Sequence, residues 1–234
     1  MKLTTKIITY LGQKYINELV QAEYNDQSYL AFNERPVEFS FVFKQLATFC
    51  PPNILDVGTG KTALPHLMRN CGFKVTAIDN VRDYWPNGMI NRHYLIIDDD
   101  ITNSKLTQRF DLITCVSVLE HIVNFEKAIE NMAKLLNNGG HLVISFPYNE
   151  NKYCENVYML KESTAPKDMP FVTQAYSRDQ ITAWCTKYNL SIVEQEYWAY
   201  FEGDYWTAGE RLKFPRKSSK TDVHQISCLV LMKN

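Results

Sequence analysis

Residues 53–80 constrain the fold of this chain more than any other stretch. Two short apolar runs in it enclose a glycine turn and a helical pattern, and the second run ends at an acidic residue. Glycine is required where a backbone turns sharply and approaches a ligand, because a Cβ atom would clash there. An acid about 20 residues beyond such a turn can reach a ribose diol. The stretch therefore predicts a pocket for a nucleoside-containing cofactor, built on Asp56, Gly58, Gly60 and Asp79.

Composition excludes several classes of protein. The 234 residues are 45% hydrophobic and carry a net charge of −1, so we expect one α/β domain and do not expect nucleic acid as a partner. No apolar run reaches the roughly 20 residues of a membrane span, and the first residues lack a secretory signal pattern, so a cytoplasmic location is expected. The six cysteines form no C-x-x-C pair, which is typical of reduced thiols and predicts no metal site.

Predicted strands alternate with helices in the middle of the chain, which indicates parallel pairing with right-handed crossovers. Two helical patterns, 4–31 and 37–49, precede this core, and residues 117–121 start or precede a helix within it that extends to about residue 136. A further helix begins at Ser177, which forms a capping-box pattern with Gln180. The predicted strands are residues 54–55, 75–78, 93–97, 111–116, 141–146, 191–200 and 225–232.

This pattern divides a single domain into three parts. Residues 1–50 form a helical N-terminal cap, 51–146 a cofactor-binding core, and 147–234 a C-terminal half with substrate-facing loops. The longest of these loops is predicted at 202–223. The cap is either a pair of packing helices or a lid whose polar break faces the pocket.

Three ligand classes use a glycine turn after a first strand. A nicotinamide site needs a third glycine in G-x-G-x-x-G, and residues 61–63 here are Lys-Thr-Ala. A phosphate loop shares the Gly-Lys-Thr of residues 60–62, but it requires glycine where this chain has Leu55, and Asp56 would repel a triphosphate. The acidic strand end at 96–99 could still imitate a magnesium site. S-adenosylmethionine carries a sulfonium and a ribose but no phosphate, so an acidic loop of small residues suits it.

Further segments resemble class I S-adenosylmethionine-dependent methyltransferases of the small-molecule type. The resemblance extends from residue 53 to residue 146, and the order and spacing of the motifs make it specific. It includes the glycine motif, the ribose-binding acid, the adenine-contacting segment, the fourth-strand motif and the turn before the fifth strand. The matching segments are residues 55–60, 79, 99–101, 110–113, 117–122 and 135–142.

The resemblance implies a Rossmann-like three-layer α/β sandwich with S-adenosylmethionine as cofactor. Its sheet would have seven mostly parallel strands, with an antiparallel strand near the C-terminus. Asp79 would accept from both ribose hydroxyls, and Asp100, or alternatively Asp99, from the adenine amino group. Asp56 would attract the cationic end. The cofactor-binding residues expected are Asp56, Gly58, Thr59, Gly60, Asp79, Asn80, Asp99, Asp100, Ile101 and Ser117.

The sequence gives weaker indications of the residues that bind and activate the methyl acceptor. A general base is needed chiefly when the acceptor is a hydroxyl that must lose a proton. His121, with Glu120 as the alternative, follows the fourth strand at the edge where ligands of open α/β sheets bind. Aromatic and basic residues in the cap and loops are expected to bind the substrate, although aromatics more often fill cores. These candidates are Arg35, Tyr84, Trp85, Tyr148 and Trp206.

The predicted activity is methyl transfer from S-adenosylmethionine to a small molecule, such as a hydroxyl of a sugar or glycan precursor. An amine acceptor is the nearest alternative. DNA amine methylation is disfavoured, because Ser-Val-Leu-Glu replaces the Asn-Pro-Pro-Tyr type of motif at residues 117–120. Two other classes stay open, a nucleotide triphosphatase and a cofactor-binding module without turnover. Oligomeric state cannot be predicted from the sequence.

Overall fold

A computed structural model describes residues 3–25, 33–85 and 88–234. The chain divides into two compact units, Met1–Pro36 and Val37–Asn234. The first unit contains helix α1, Leu3–Asn25, and the rest of the helix predicted up to residue 31 lies outside the described residues. The second unit contains the sheet and its helices. The expectation that residues 1–50 act together as a cap stays a prediction.

The second unit alternates strands and helices. Its helices are α2 (Arg35–Phe49, which begins in the first unit), α3 (Leu64–Asn70), α4 (Val81–Tyr84), α5 (Phe125–Leu135) and α6 (Arg178–Tyr188). Its strands are β1 (Asn53–Val57), β2 (Lys74–Asp79), β3 (Ile97–Asp98), β4 (Phe110–Val116), β5 (Leu136–Pro147), β6 (Leu190–Phe201), β7 (Arg211–Ser218) and β8 (Ile226–Lys233).

The strands form one sheet in the order β3-β2-β1-β4-β5-β8-β6-β7. The five strands from β3 to β5 pair in parallel, whereas β8 is antiparallel to both β5 and β6. This confirms the predicted α/β class with a mostly parallel sheet. Because the parallel strands run the same way, the ends of β1, β2, β4 and β5 that carry their carboxyl termini lie at one edge, and the candidate site lies there.

The sheet has eight strands rather than seven. The additional strand, β7, lies within residues 202–223, which were predicted to be a loop, and it pairs antiparallel with β6 at the sheet edge. Its sequence, RLKFPRKS, is basic and contains proline, which disguises a strand in the sequence but is usual at an edge.

Two other elements differ from their predicted positions. Strand β3 covers only Ile97–Asp98, because the Asn91 side chain accepts from the backbone N–H groups of His93 and Tyr94 and holds a turn where the strand was predicted. Residues 117–121, predicted to start or to precede a helix, precede it: Leu119–His121 form a 3-10 turn, and the helix itself, α5, begins only at Phe125. The predicted capping box of α6 is present.

The core lies between the sheet and α5 and α6. Ile129 and Met132 of α5 and Trp184 of α6 are fully buried against the apolar side chains of β1, β4 and β5. Helix α2 contributes buried Phe41 and Leu46. Among the described residues, no helix combines the length and apolar character needed to cross a bilayer.

Candidate active site

The loop after β1 depends on two glycines in the left-handed region. Gly58 has φ +70° and Gly60 has φ +55°. A Cβ atom at Gly58 would lie 2.3 Å from Cγ1 of Val118, so the loop after β1 is in direct contact with the turn after β4. A larger residue at 58 would therefore combine backbone strain with a clash.

Asp79 ends β2 and holds this loop. Its Oδ2 accepts from the Gly60 backbone N–H at 2.7 Å, and its Oδ1 accepts from Nε1 of Trp85 at 3.0 Å. The carboxylate is 7% exposed, and burial raises its pKa, although the hydrogen bonds from Trp85 and Gly60 lower it. The backbone N–H of Asn80 is a third donor, so about one of the roughly four acceptor positions of the carboxylate remains for a ribose hydroxyl.

Asn91 supports the same loop and was not among the predicted site residues. Its Nδ2 donates to the carbonyl oxygens of Gly60 and Thr62, at 2.8 and 2.9 Å. Lys61, central to a phosphate-loop interpretation, has its ammonium 5.7 Å from the Trp85 ring centroid. Leu55, which replaces the glycine that such a loop needs, is fully buried in β1.

Asp56 lies beneath the loop rather than on its surface. It is 2% exposed, and its two carboxylate oxygens accept from the hydroxyls of Thr59 and Thr114, both at 2.6 Å. Asp56 and Thr59 therefore connect the glycine loop to β4. The negative charge of Asp56 is held at the base of the loop by neutral donors.

The expected adenine segment follows β3. Asp99 accepts from the Ser104 hydroxyl at 2.5 Å and from the Lys105 N–H at 3.1 Å. Asp100 accepts from the N–H and the hydroxyl of Thr102, at 2.8 and 2.7 Å. Both carboxylates thus cap their own turn. Ile101 is 4% exposed and belongs to the core. In the same way Asn80 caps α4 by accepting from the N–H of Asp83.

The turn after β4 begins at Ser117, which has φ +49°. Its N–H lies 3.1 Å from both the carbonyl oxygen and the hydroxyl of Ser145 in β5. Its hydroxyl donates to Oε1 of Glu38 at 2.5 Å, and the Ser145 hydroxyl donates to the same oxygen at 2.7 Å. Glu38, on α2, is 1% exposed and was not predicted as a site residue.

His121 and Glu120 lie together three residues further on. His121 Nδ1 is 2.8 Å from the Val172 carbonyl oxygen. A carbonyl only accepts, so in the neutral ring Nδ1 carries the hydrogen and Nε2 is the basic nitrogen. Nε2 is 3.9 Å from Oε1 of Glu120, a carboxylate that is 4% exposed. The Gln174 side chain donates to the carbonyl oxygens of Glu120 and Ile122 and fixes this turn.

Aromatic rings adjoin this pair. Phe171 packs edge-on against His121 with 4.8 Å between centroids, and Tyr158 packs against Phe171 at 6.2 Å. Partial burial raises the pKa of Tyr84, and the charges of Glu120, Asp79 and Tyr158 raise it further.

The other predicted substrate residues are dispersed. Trp85 bonds Asp79, as described above. Tyr148 is fully buried and donates to Glu150 at 2.7 Å, so it lies in the core beyond β5. Trp206 packs edge-on against Tyr200 and Phe201 at the end of β6. Arg35 lies in the first unit, at the start of α2.

Comparison with known proteins gives a family match over most of the chain. The family model described as a methyltransferase domain matches residues 28–195. A ubiquinone biosynthesis O-methyltransferase of Coxiella burnetii is 32% identical over 117 residues, which cover 47% of this chain and 49% of that protein. The chain thus spans about half the length of the curated relatives it matches.

Solved structures show the same fold. Magnesium protoporphyrin IX methyltransferase from Synechocystis PCC 6803, solved with SAH, gives a TM-score of 0.55 at 13% identity, covering 97% of this chain and 100% of that chain. The N-methyltransferase NodS from Bradyrhizobium japonicum, in complex with S-adenosyl-L-homocysteine, gives 0.51 at 18% identity, covering 86% and 87%. At such identities the similarity shows the fold alone.

Proposed function

Because this chain belongs to the class I S-adenosylmethionine-dependent methyltransferase family, we propose that it methylates a hydroxyl group of a small, planar, largely apolar molecule. His121 is the general base. The observation that carries the proposal is the fixed imidazole at the turn after β4, whose Nδ1 lies 2.8 Å from a backbone carbonyl oxygen while Nε2 lies 3.9 Å from Glu120.

The cofactor half of the site lies at the ends of β1 and β2. S-adenosylmethionine supplies an electrophilic methyl group on a cationic sulfur. Asp79 accepts from the ribose hydroxyls, and the glycines at 58 and 60 allow the backbone to approach the cofactor. The charge of Asp56, buried at the base of the loop, favours a cationic ligand. Asp99, Asp100 and Ile101 border the adenine, with Ser117 at the methionine end.

The acceptor half lies at the turn after β4. His121 Nε2 would take the proton of the acceptor hydroxyl, while bound S-adenosylmethionine would supply the methyl group to the acceptor oxygen and leave as S-adenosylhomocysteine once its C–S bond is broken. The resulting imidazolium would be stabilised by the Glu120 carboxylate at 3.9 Å, a separation too long for a hydrogen bond but within the limit of about 4 Å for an ion pair. Glu120 thus supports the base and does not replace it. General base catalysis of this kind contributes about 10²–10⁴ in rate.

The chemistry around His121 favours a planar acceptor over a sugar. Phe171 and Tyr158 offer ring faces and edges, which pack well against another aromatic ring and poorly against a polyhydroxylated one. Curated relatives are named ubiquinone biosynthesis O-methyltransferases, which supports a hydroxyl acceptor. The sugar hydroxyl expected from the sequence has no comparable support.

The test is a methyl-transfer assay with S-adenosylmethionine and a panel of catechols, phenols, amines, free sugars and nucleotide sugars, read by mass spectrometry. We expect a methyl ether on a phenolic hydroxyl and no product from sugars. Methylation of an amine with no ether product would overturn the acceptor assignment. Absence of any S-adenosylmethionine binding would overturn the whole proposal.

A further inference from the structure

Glu38 is a buried carboxylate at the ligand edge of the sheet that the proposed reaction does not use. It lies on α2, is 1% exposed, and one of its oxygens accepts from the hydroxyls of both Ser117 and Ser145. Burial of a carboxylate costs free energy unless hydrogen bonds offset it. A sequence that only had to pack α2 against the sheet could use an apolar residue here, as it does at Phe41 and Leu46.

The group that Glu38 holds is strained. Ser117 has φ +49°, in the left-handed region, where a residue other than glycine is sterically strained. Such a conformation persists where its surroundings fix it, and it is common at functional sites. Here the fixing contacts are the N–H of Ser117 to Ser145, and the Ser117 hydroxyl to Glu38.

The strained residue is coupled to the glycine loop. The residue after Ser117 is Val118, whose Cγ1 lies 2.3 Å from where a Cβ atom of Gly58 would be. A shift of Ser117 would therefore move Val118 against the loop after β1. Glu38 thus fixes the relative position of the two loops, after β1 and after β4, between which the methionine end of the cofactor would bind.

We propose that Glu38 is a positioning residue for the cofactor site, which acts through Ser117 without touching the cofactor. The inference rests on the proposed function, because it requires S-adenosylmethionine to bind at the ends of β1 and β2 with its methionine end next to the turn after β4. It assigns a role in the reaction to α2, an element that precedes the cofactor-binding core in the chain.

The test measures the affinity for S-adenosylmethionine by calorimetry and the unfolding temperature without cofactor. Glu38→Ala is compared with Gln45→Ala, a control on the same helix that also removes a buried polar side chain, one that donates to Glu194. We expect both variants to unfold at lower temperature, and only Glu38→Ala to bind the cofactor about tenfold or more weakly. Equal affinities for the two variants would overturn the proposal.

Ser117 variants provide a second test that does not depend on the stability of Glu38→Ala. Glycine adopts φ +49° without steric cost, so Ser117→Gly should fold normally yet lose the anchor to Glu38. We expect it to weaken cofactor binding, and we expect Glu38→Gln to have no further effect in that background. Wild-type affinity in Ser117→Gly, or additive effects of the two substitutions, would contradict the proposal. If the wild-type protein itself binds no S-adenosylmethionine, the proposed function fails first and this inference fails with it.

Discussion

The two halves of the candidate site are held together over very different distances along the chain. On the cofactor side, Asp79 bonds residues 19 and 6 positions away, at Gly60 and Trp85. On the acceptor side, His121 bonds a residue 51 positions away, and where the two halves meet, Glu38 bonds serines 79 and 107 positions away. The cofactor half is thus a local structure within one strand–helix–strand unit, whereas the acceptor half is assembled from separate parts of the chain.

The difference explains why a short motif can reveal one half and not the other. A local unit keeps its residue spacing wherever it occurs, so glycines and an acid at the right separation indicate a nucleoside pocket. Residues that meet only after folding carry no such spacing. The two halves should therefore also respond differently to substitution, in cofactor affinity on one side and in turnover on the other.

The largest effect is expected on the acceptor side, at His121. Replacing it with Gln keeps a polar side chain of similar size but removes the base, so kcat should fall by about 10²–10⁴. The affinity for S-adenosylmethionine should stay within about twofold, because His121 belongs to the other half. Steady-state kinetics and calorimetric titration on the same preparation separate the two effects. A variant with near wild-type kcat would show that the acceptor needs no base.

The next largest effect is expected where the halves touch, at Gly58. Alanine there would add left-handed strain of about 1–2 kcal/mol and a clash with Val118 of about 1–3 kcal/mol. Gly139 is a matched control, because its φ of +75° is similar to the +70° of Gly58 while no atom lies within 4 Å of its missing Cβ. In denaturant unfolding, Gly58→Ala should lose clearly more stability than Gly139→Ala. Equal losses would mean that the two loops do not press against each other.

Within the cofactor half, Asp79→Asn should weaken S-adenosylmethionine binding about 10-fold to 100-fold. The variant loses a charged acceptor whose hydrogen bonds are worth roughly 1.5–3 kcal/mol each. Asp111→Asn provides the contrast, since Asp111 accepts from Asn53 and Asn137 at the start of β4, away from the ligand edge. The turnover of Asp79→Asn at saturating cofactor should stay near that of the wild type.

The pH dependence of S-adenosylmethionine binding provides a further test of the role of Asp79. Burial raises the pKa of Asp79 above its ordinary value. As the pH falls through this raised pKa, the carboxyl takes up a proton and accepts more weakly, so cofactor affinity should fall at a higher pH than for an ordinary aspartate. Without cofactor, folding stability depends on pH with the opposite sign to cofactor affinity. The folded state binds more protons there, so the Asp79 contribution to stability increases as the pH falls. Asp79→Asn should abolish both trends in calorimetry and thermal unfolding.

The smallest effect is expected at the adenine segment. The carboxylates of Asp99 and Asp100 already accept two hydrogen bonds each from their own turns. Asp100→Asn should therefore weaken S-adenosylmethionine binding by only about threefold or less, since an amide oxygen can still accept from Thr102. A loss as large as that of Asp79→Asn would show that the adenine contact dominates affinity.

The sequence predicted the fold class, the alternation of strands and helices in the core and the family, because these depend on periodicity and local motifs. It did not predict β7, whose lysines, arginines and proline conceal an edge strand. It gave no signal for Glu38, because nothing near residue 38 indicates a serine at 117 or 145. It also identified Tyr148 as a pocket residue, whereas the side chain is fully buried and bonded to Glu150. An aromatic residue has the same appearance in a sequence whether it fills a core or borders a ligand.

The most direct test of the central claim is calorimetric titration of the wild-type protein with S-adenosylmethionine and, separately, with ATP and magnesium. The glycine loop, the buried charge of Asp56 and the acceptor capacity of Asp79 predict one molecule of S-adenosylmethionine bound per chain, and no binding of ATP. Binding of ATP with magnesium, abolished by Lys61→Ala and without any binding of S-adenosylmethionine, would contradict the account and restore the phosphate-loop interpretation of Gly60, Lys61 and Thr62.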